Sequence, residues 1–463
     1  MRIPTHELTH DLTHDLAHDL AHDFRRGNPN PKTSQNGFSR FITEFKPTTS
    51  VVGYHSTEKH LTASAVFINY YNPALIMQFK HSSKSLKMPS AKIKLIFPAF
   101  ILLIVFTGCK KDEQPTPSDS TRSFYMSFTP FPYEISYEAV DWTYAHIAAD
   151  ADMITHSFDE GIPWVQALND EPFSAHIMDD CTYRKNNSPA GQKIFIQQSC
   201  ETFERDGMAL IKDTADNQPL IAPWDTIHFN HPDVKTAYLN YCKRMIDFFE
   251  PDYFNFSIEG NILLSFNPAI WNEYKEFHEY IYTQLKTLYP ELTILFSFQC
   301  SFLLDGQIDG VDYSAQHQAV TDLLPYTDVF GISIYPYATA LLTNLIPEDM
   351  LDDLAAMAGT KPMAITETGY ISKTLELTDP PITIPSDEQK QNNYISFILE
   401  EANQHHFLFV NNFILRDYDK LWEQIGGVAD ISALWRNTGL YDSAGVEKQA
   451  LTTWKLYLDK PHE

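Results

Sequence analysis

Basic residues are scarce in this sequence. The 463 residues include 34 Lys and Arg against 60 Asp and Glu, a formal charge of −26 at pH 7. A surface of that sign repels phosphate backbones and anionic headgroups, which argues against nucleic acid as a partner and disfavours a polyanionic substrate. Cysteine is scarcer still. The five present show no CxxC spacing, so nothing supports a zinc site. Cys181 and Cys200 read either as a disulfide of an exported protein or as separate buried thiols. The apolar run Leu95–Phe106, interrupted by Pro98, falls short of the roughly 20 residues that a spanning helix needs.

What is present begins with a repeat. From Thr5 a four-residue unit recurs to about Phe24 and places His6, His10, His14, His18 and His22 at a spacing of four. Histidines so spaced on a helix could share a metal. Nothing around them could form a core to fix that geometry, so residues 1–87 read as a low-complexity segment or as sequence upstream of the true start. Met88 opens a different pattern: Lys92 and Lys94, the apolar run, then Thr107-Gly-Cys109. That is a basic n-region, a short h-region and a small-residue cleavage site. Thr-Gly-Cys resembles a bacterial lipoprotein box, which implies a signal peptide at 88–108 and lipidation of Cys109. Residues 109–122 are a polar, proline-bearing tether. Lys110 after the cysteine, and the Lys-Asp-Glu run, point to the outer membrane or cell surface.

Residues 123–463 are long enough for one (β/α)8 barrel. Eight candidate strands fall in order at Phe124–Thr129, Met153–Ser157, Ile194–Gln198, Tyr253–Ile258, Thr293–Phe298, Val329–Tyr335, Met363–Thr366 and Phe407–Ile414. Amphipathic helices are clearest at Pro232–Phe249, Ile270–Leu288 and Asp387–Gln404. Strands alternating with helices imply a parallel sheet, and eight repeats favour closure. The tail from Trp435 to Leu458 reads as a turn and a last helix. The expected fold is a single α/β TIM barrel behind a non-globular leader.

Two glutamates stand at the carboxyl ends of apolar runs: Glu259 in Tyr253-Phe-Asn-Phe-Ser-Ile-Glu-Gly-Asn261, and Glu367 in Pro362-Met-Ala-Ile-Thr-Glu-Thr-Gly-Tyr370. A carboxylate at the tip of a buried strand is costly unless a partner neutralises it or a site uses it. The chain between them suits three strand-plus-helix units, which puts them after strands 4 and 7 on the face where barrel enzymes keep their chemistry. Two facing carboxylates are the minimal equipment for cleaving a glycosidic bond.

Ile365-Thr-Glu-Thr-Gly-Tyr370 resembles the strand-7 nucleophile motif of the retaining clan A glycoside hydrolases. Asp328-Val-Phe-Gly-Ile-Ser-Ile-Tyr-Pro-Tyr337 is similar to their strand 6, most of all in family 53, the endo-β-1,4-galactanases. The closing Gly439-Leu-Tyr-Asp-Ser-Ala-Gly445 is also similar to the ends of many such enzymes. The resemblance implies Glu367 as nucleophile, Glu259 as general acid/base and Tyr335 as the hydroxyl that holds the nucleophile ionised. It also implies carboxyls about 5–5.5 Å apart, no cofactor, no metal and a β-linked glycan as substrate. The clan's Asn before the acid/base is here Ile258. That departure admits another reading, a catalytically inactive glycan-binding lipoprotein on a glycosidase scaffold.

Sugar rings present an apolar face that aromatic side chains bury well. Trp164, Trp224 and Trp422 follow strands 2, 3 and 8 and are the expected platforms, each with packing in the core as its other reading. Asn261 is a substitute for the missing amide, and Arg205 and His156 are further candidates for the cleft. Trp271, on a helix, is assigned to packing.

Overall fold

The computed structural model describes residues 120–339, 349–378, 381–427 and 431–463. The repeat, the apolar run and Cys109 lie outside them. Among the described residues no helix is long and apolar enough to cross a membrane.

Eight parallel strands close into a barrel. In chain order they are β1 (Tyr125–Phe128), β2 (Met153–Phe158), β3 (Lys193–Gln198), β4 (Tyr253–Asn255), β5 (Thr293–Gln299), β6 (Phe330–Ile334), β7 (Met363–Thr368) and β10 (Phe409–Asn412), which pairs with β1. These are the eight expected strands, with shifted ends. An antiparallel hairpin, β8 (Leu375–Thr378) and β9 (Pro381–Ile384), intervenes after β7. Its clean alternation of buried and exposed residues is too short to separate from a loop by pattern alone.

The helices between strands are α1 (Tyr137–Asp150), α2 (Trp164–Asn169), α3 (Ala175–Asn187), α4 (Pro232–Phe249), α5 (Ile262–Phe266), α6 (Trp271–Leu288), α7 (Tyr313–Leu323), α8 (Met350–Ala358), α9 (Glu388–Gln404), α10 (Asp419–Gln424) and α11 (Gln449–Leu458). The starts of α4 and α9 are written in the chain. Pro232 sits at the first position of α4, behind His231, whose side chain accepts from Asp233 N. Asp387 caps α9 by accepting from Lys390 N at 2.8 Å. The inward stripes are apolar at helical spacing, as in Val234, Tyr238, Tyr241, Met245 and Phe249 of α4. Trp271 packs beside Tyr274 on α6, as assigned.

Alternation along the strands divides the barrel interior into layers. The lower layer is apolar: Met153, Phe195, Leu295, Val329, Ala364 and Phe409 form their own buried cluster. Two residues on in each strand the interior turns polar. Ser127 meets Thr155 at 2.7 Å, Asn255 donates to Ser297 Oγ at 3.1 Å, and Asn411 donates to the Thr366 carbonyl at 2.9 Å. This polar belt is the floor on which the strand tips stand.

The ring is locked by a buried ion pair between the two ends of the closing segment. Lys448 Nζ lies 2.6 Å from Asp417 Oδ1, with side chains 2% and 0% exposed. Lys448 also donates to Ser372 Oγ and the Gly439 carbonyl, and so ties the segment after β7 to the tail. Burial pushes the Asp417 carboxyl up and the Lys448 amine down, each pulled back by the other. Breaking the pair leaves the buried Asp417 carboxylate to Lys373, at 3.4 Å, and to the amide of Asn437, at 3.2 Å. Lys448→Met is expected to cost about 3 kcal/mol or more in denaturant unfolding, most of it recovered in the double variant Lys448→Met/Asp417→Leu.

Candidate active site

Glu259 and Glu367 reach the same opening by different backbone devices. In β7 the sheet register slips: Ile332 pairs with Ile365, but Ser333 pairs with Glu367. Thr366 is thus an extra residue, and the β10 side shows the same slip between Val410 and Asn412. Ala364 faces the interior, so strict alternation would turn Thr366 inward and Glu367 toward the helices. The bulge overrides this for Glu367. Thr366 Oγ1 donates back to the Ile332 carbonyl at 3.0 Å, and Glu367 points into the barrel mouth.

β4 stops at Asn255, short of the expected Ile258. Asn255 Oδ1 takes the N–H of Ser257 at 3.0 Å, replacing a ladder bond with a local one. The chain then turns, and Glu259 adopts φ +54°, in the left-handed region that non-glycine residues rarely enter. Its N–H donates to Ser297 Oγ at 3.1 Å and its Oε1 accepts from Ser333 Oγ at 2.7 Å. A positive φ at a strand tip that carries a carboxylate is strain of the kind kept at functional sites.

Around Glu367 the groups are arranged by charge. Tyr335 donates to Glu367 Oε1 at 2.6 Å. Burial, then the charge of Glu367, keeps that hydroxyl far above its usual range, so it remains a donor. Burial and the neighbouring Glu259 carboxylate push the Glu367 carboxyl up to about 7, against the pull of Tyr335 and the Arg205 guanidinium. The two carboxylates therefore repel through a common space. Arg205 is itself forked onto Asp159, with Nη1 3.0 Å from Oδ1 and Nη2 2.9 Å from Oδ2. It also stands at positive φ, +56°. Glu259, Glu367, Tyr335 and Arg205 are thus brought together.

The remaining candidates are not. His156 is turned outward between β2 and the helices, against Tyr144 and Phe249, with Nε2 2.8 Å from Ser188 Oγ. Burial drives its ring down to about 3, so it is neutral. Asn261 is fully buried, and its amide is used by Gln299 and Gln316. Trp164 stacks on Trp224 at 5.4 Å and donates its indole N–H to the Ala209 carbonyl. Trp422 is covered by the turn at Gly427, where a Cβ would lie 2.3 Å from the indole. The structure places these five side chains inside the fold, each buried against neighbouring segments. Cys181, Cys200, Cys242 and Cys300 are all free and buried, which resolves Cys181 and Cys200 as separate thiols.

Sequence reading missed several neighbours. Trp435 stands 6.0 Å from Tyr335, edge to face and half-buried, in a segment read only as a closing turn. Phe131 and Phe413, half-buried at the ends of the adjoining strands β1 and β10, meet at 5.6 Å. Asp159 was passed over beside the tryptophan that follows it. Among the described residues one group could hold a cation elsewhere: Asp352, Glu401 and His405, on and beside helices α8 and α9. Its ligand atoms already pair with one another, His405 Nε2 lying 3.1 Å from Asp352 and 3.4 Å from Glu401.

No protein-family model matches the chain, and no curated protein matches it in sequence. Solved structures do resemble it. An exo-β-1,4-mannosidase from Opitutaceae bacterium strain TAV5 aligns at TM-score 0.49 and 14% identity over 73% of this chain, which spans 60% of that enzyme's length. A GH5_18 protein from Bifidobacterium longum, solved with Manβ1-4GlcNAc, aligns at 0.49 and 13% identity, covering 73% of this chain and 80% of that one. Fungal β-1,4-galactanases align at 0.45 and 13% identity, covering 68% and 90%.

The raised carboxyl makes a stability prediction. An unfolded glutamate titrates near 4.3, whereas Glu367 in the folded chain titrates at about 7. Between these values the folded chain holds the proton more tightly, so its stability falls as pH rises through the window. Glu367→Gln removes the repulsion and keeps an acceptor for Tyr335. It should melt about 2 °C or more above the unaltered chain at pH 8, the difference vanishing near pH 4. Thermal melts across pH check this.

Proposed function

We propose that this chain is a retaining β-glycoside hydrolase of the clan A kind, acting on a β-linked glycan of galactan type. The observation that carries the proposal is the pairing of Glu259 and Glu367. Two strand tips are bent out of regular geometry so that both carboxyls share one opening, and Tyr335 is bonded to the second. Repulsion between the two disfavours the doubly charged state, and double displacement starts from one acid and one carboxylate.

In this reading Glu259 protonates the leaving oxygen while Glu367 attacks the anomeric carbon. The Tyr335 hydroxyl and the Arg205 charge favour Glu367 as the anion at that moment. Glu259 then takes a proton from the water that releases the sugar. Trp435, Phe131 and Phe413 offer the aromatic faces that the buried tryptophans do not. The protein would work exported, with residues 88–108 removed and Cys109 lipidated at the outer membrane or cell surface; residues 1–87 would take no part. Ile258 supports the other reading, a glycan-binding lipoprotein without turnover, because it supplies no donor beside Glu259.

A panel of polysaccharides including galactan, read by released reducing ends and by aryl β-glycosides, separates the two. Glu367→Ala should abolish turnover on every substrate, since no covalent intermediate forms. Glu259→Ala should be milder on dinitrophenyl glycosides, whose departure needs little protonation. Azide should rescue it to a β-glycosyl azide, while the Glu367 variant gives at most the α-azide. Equal losses with no azide product from either variant would refute the assignment.

A further inference from the structure

A third carboxyl group lies behind the pair and has no part in the chemistry above. Glu201, just past the end of β3, is 1% exposed. Among the described residues no basic side chain pairs with it; hydroxyls hold it instead. Ser199 Oγ donates to its Oε2 at 3.0 Å and Ser257 Oγ to its Oε1 at 2.9 Å. Tyr274, on α6, bonds to Ser257 Oγ at 2.7 Å and also to Glu201. Burying a carboxyl among hydroxyls costs free energy that an apolar residue would not, so its two arms are informative.

One arm runs to the segment that carries Glu259 and the other to Arg205. Ser199 Oγ, which donates to Glu201, accepts from Arg205 Nη1 at 3.2 Å. Arg205 is the guanidinium whose charge reaches Glu367. On the other arm, Ser257 lies two residues before Glu259. Gly260 follows directly and is pressed so closely on this cluster that a Cβ there would lie 2.0 Å from the Tyr274 hydroxyl and 2.6 Å from Ser257 Oγ. Glu259, at φ +54°, is therefore pinned on both sides by groups that converge on Glu201.

We infer that Glu201 is a positioning residue that sets the relative placement of Glu259 and Glu367, through Ser257 on one side and through Ser199 and Arg205 on the other. It touches no reacting atom. Its carboxyl offers two acceptors in one plane, so a single rigid group holds Ser257, two residues before Glu259, and Ser199, which in turn accepts from Arg205. Glutamine offers one acceptor and one donor, and one serine hydroxyl would have to turn away. The inference rests on the catalytic reading of the pair for its kinetic consequence but not for its structural one.

The test uses the unaltered protein, Glu201→Gln, and Ser257→Ala, which cuts one arm only. Turnover of an aryl β-glycoside should fall about 10²-fold in kcat for Glu201→Gln, with KM within about threefold, as expected of a misplaced catalytic group. Ser257→Ala should show a smaller loss of the same kind. Independently of substrate, 13C NMR of glutamate-labelled protein should show the titration midpoint of the pair displaced by about half a unit or more. The charged and titratable groups facing the pair, Tyr335, Arg205, Asp159 and Cys300, are unchanged in both variants. Folded variants with kcat within about threefold of the unaltered protein and an unmoved midpoint would overturn the inference, as would failure of both to fold, which assigns Glu201 to stability alone. If the unaltered protein turns over no glycoside but the midpoint moves, the catalytic reading falls and the positioning role stands.

Discussion

Two carboxyl groups held in one partly buried opening repel each other, and much of this structure accommodates that fact. Hydroxyls and a guanidinium converge on the pair: Tyr335 on Glu367, Ser333 on Glu259, and the charge of Arg205 on Glu367. The acidic surface offers no help, since a chain of charge −26 adds to the burden instead of relieving it. Relief has to be local, from a fork between Arg205 and Asp159 that leaves the site's charge balance in place while presenting the guanidinium to Glu367.

The barrel makes such an arrangement sustainable. Its lower interior is packed apolar and its upper interior is hydrogen-bonded, so rigidity comes from below and polarity from above. Strain at Glu259 and Arg205 is small against a closed sheet whose closing segment is pinned by Lys448 and Asp417. Stability is thus concentrated away from the opening, and the opening itself is under electrostatic and conformational load.

The sequence made the barrel legible because period-two runs and capped amphipathic helices repeat along it, and α4 was readable to the residue from Pro232 and its apolar stripe. Glu259, Glu367 and Tyr335 were legible for a related reason, since a charge at the end of an apolar run is conspicuous. The tryptophans misled. A large aromatic in a loop after a strand is written the same way whether it faces a ligand or stacks on a second tryptophan, and Trp164 and Trp224 do the latter. Asn261 and His156 failed similarly, since polar identity does not say which partner satisfies it. Trp435 was overlooked because its neighbour Tyr335 is distant in sequence, and only the fold joins them. Glu201 carries no periodic signature, and its significance lies entirely in what meets it.

The β7 bulge has an evolutionary corollary. Which face Glu367 occupies depends on the register slip at Thr366, against the alternation counted from Ala364, and not on the carboxyl's own chemistry. Straightening of that strand, with every residue kept, would send the carboxyl into the helix layer, because Glu367 stands three residues beyond the inward Ala364 and only the bulge turns it to the mouth. Descent into an inert scaffold could therefore pass through loss of the bulge with the motif residues intact, and the course of this strand separates the two fates more sharply than residue identity does.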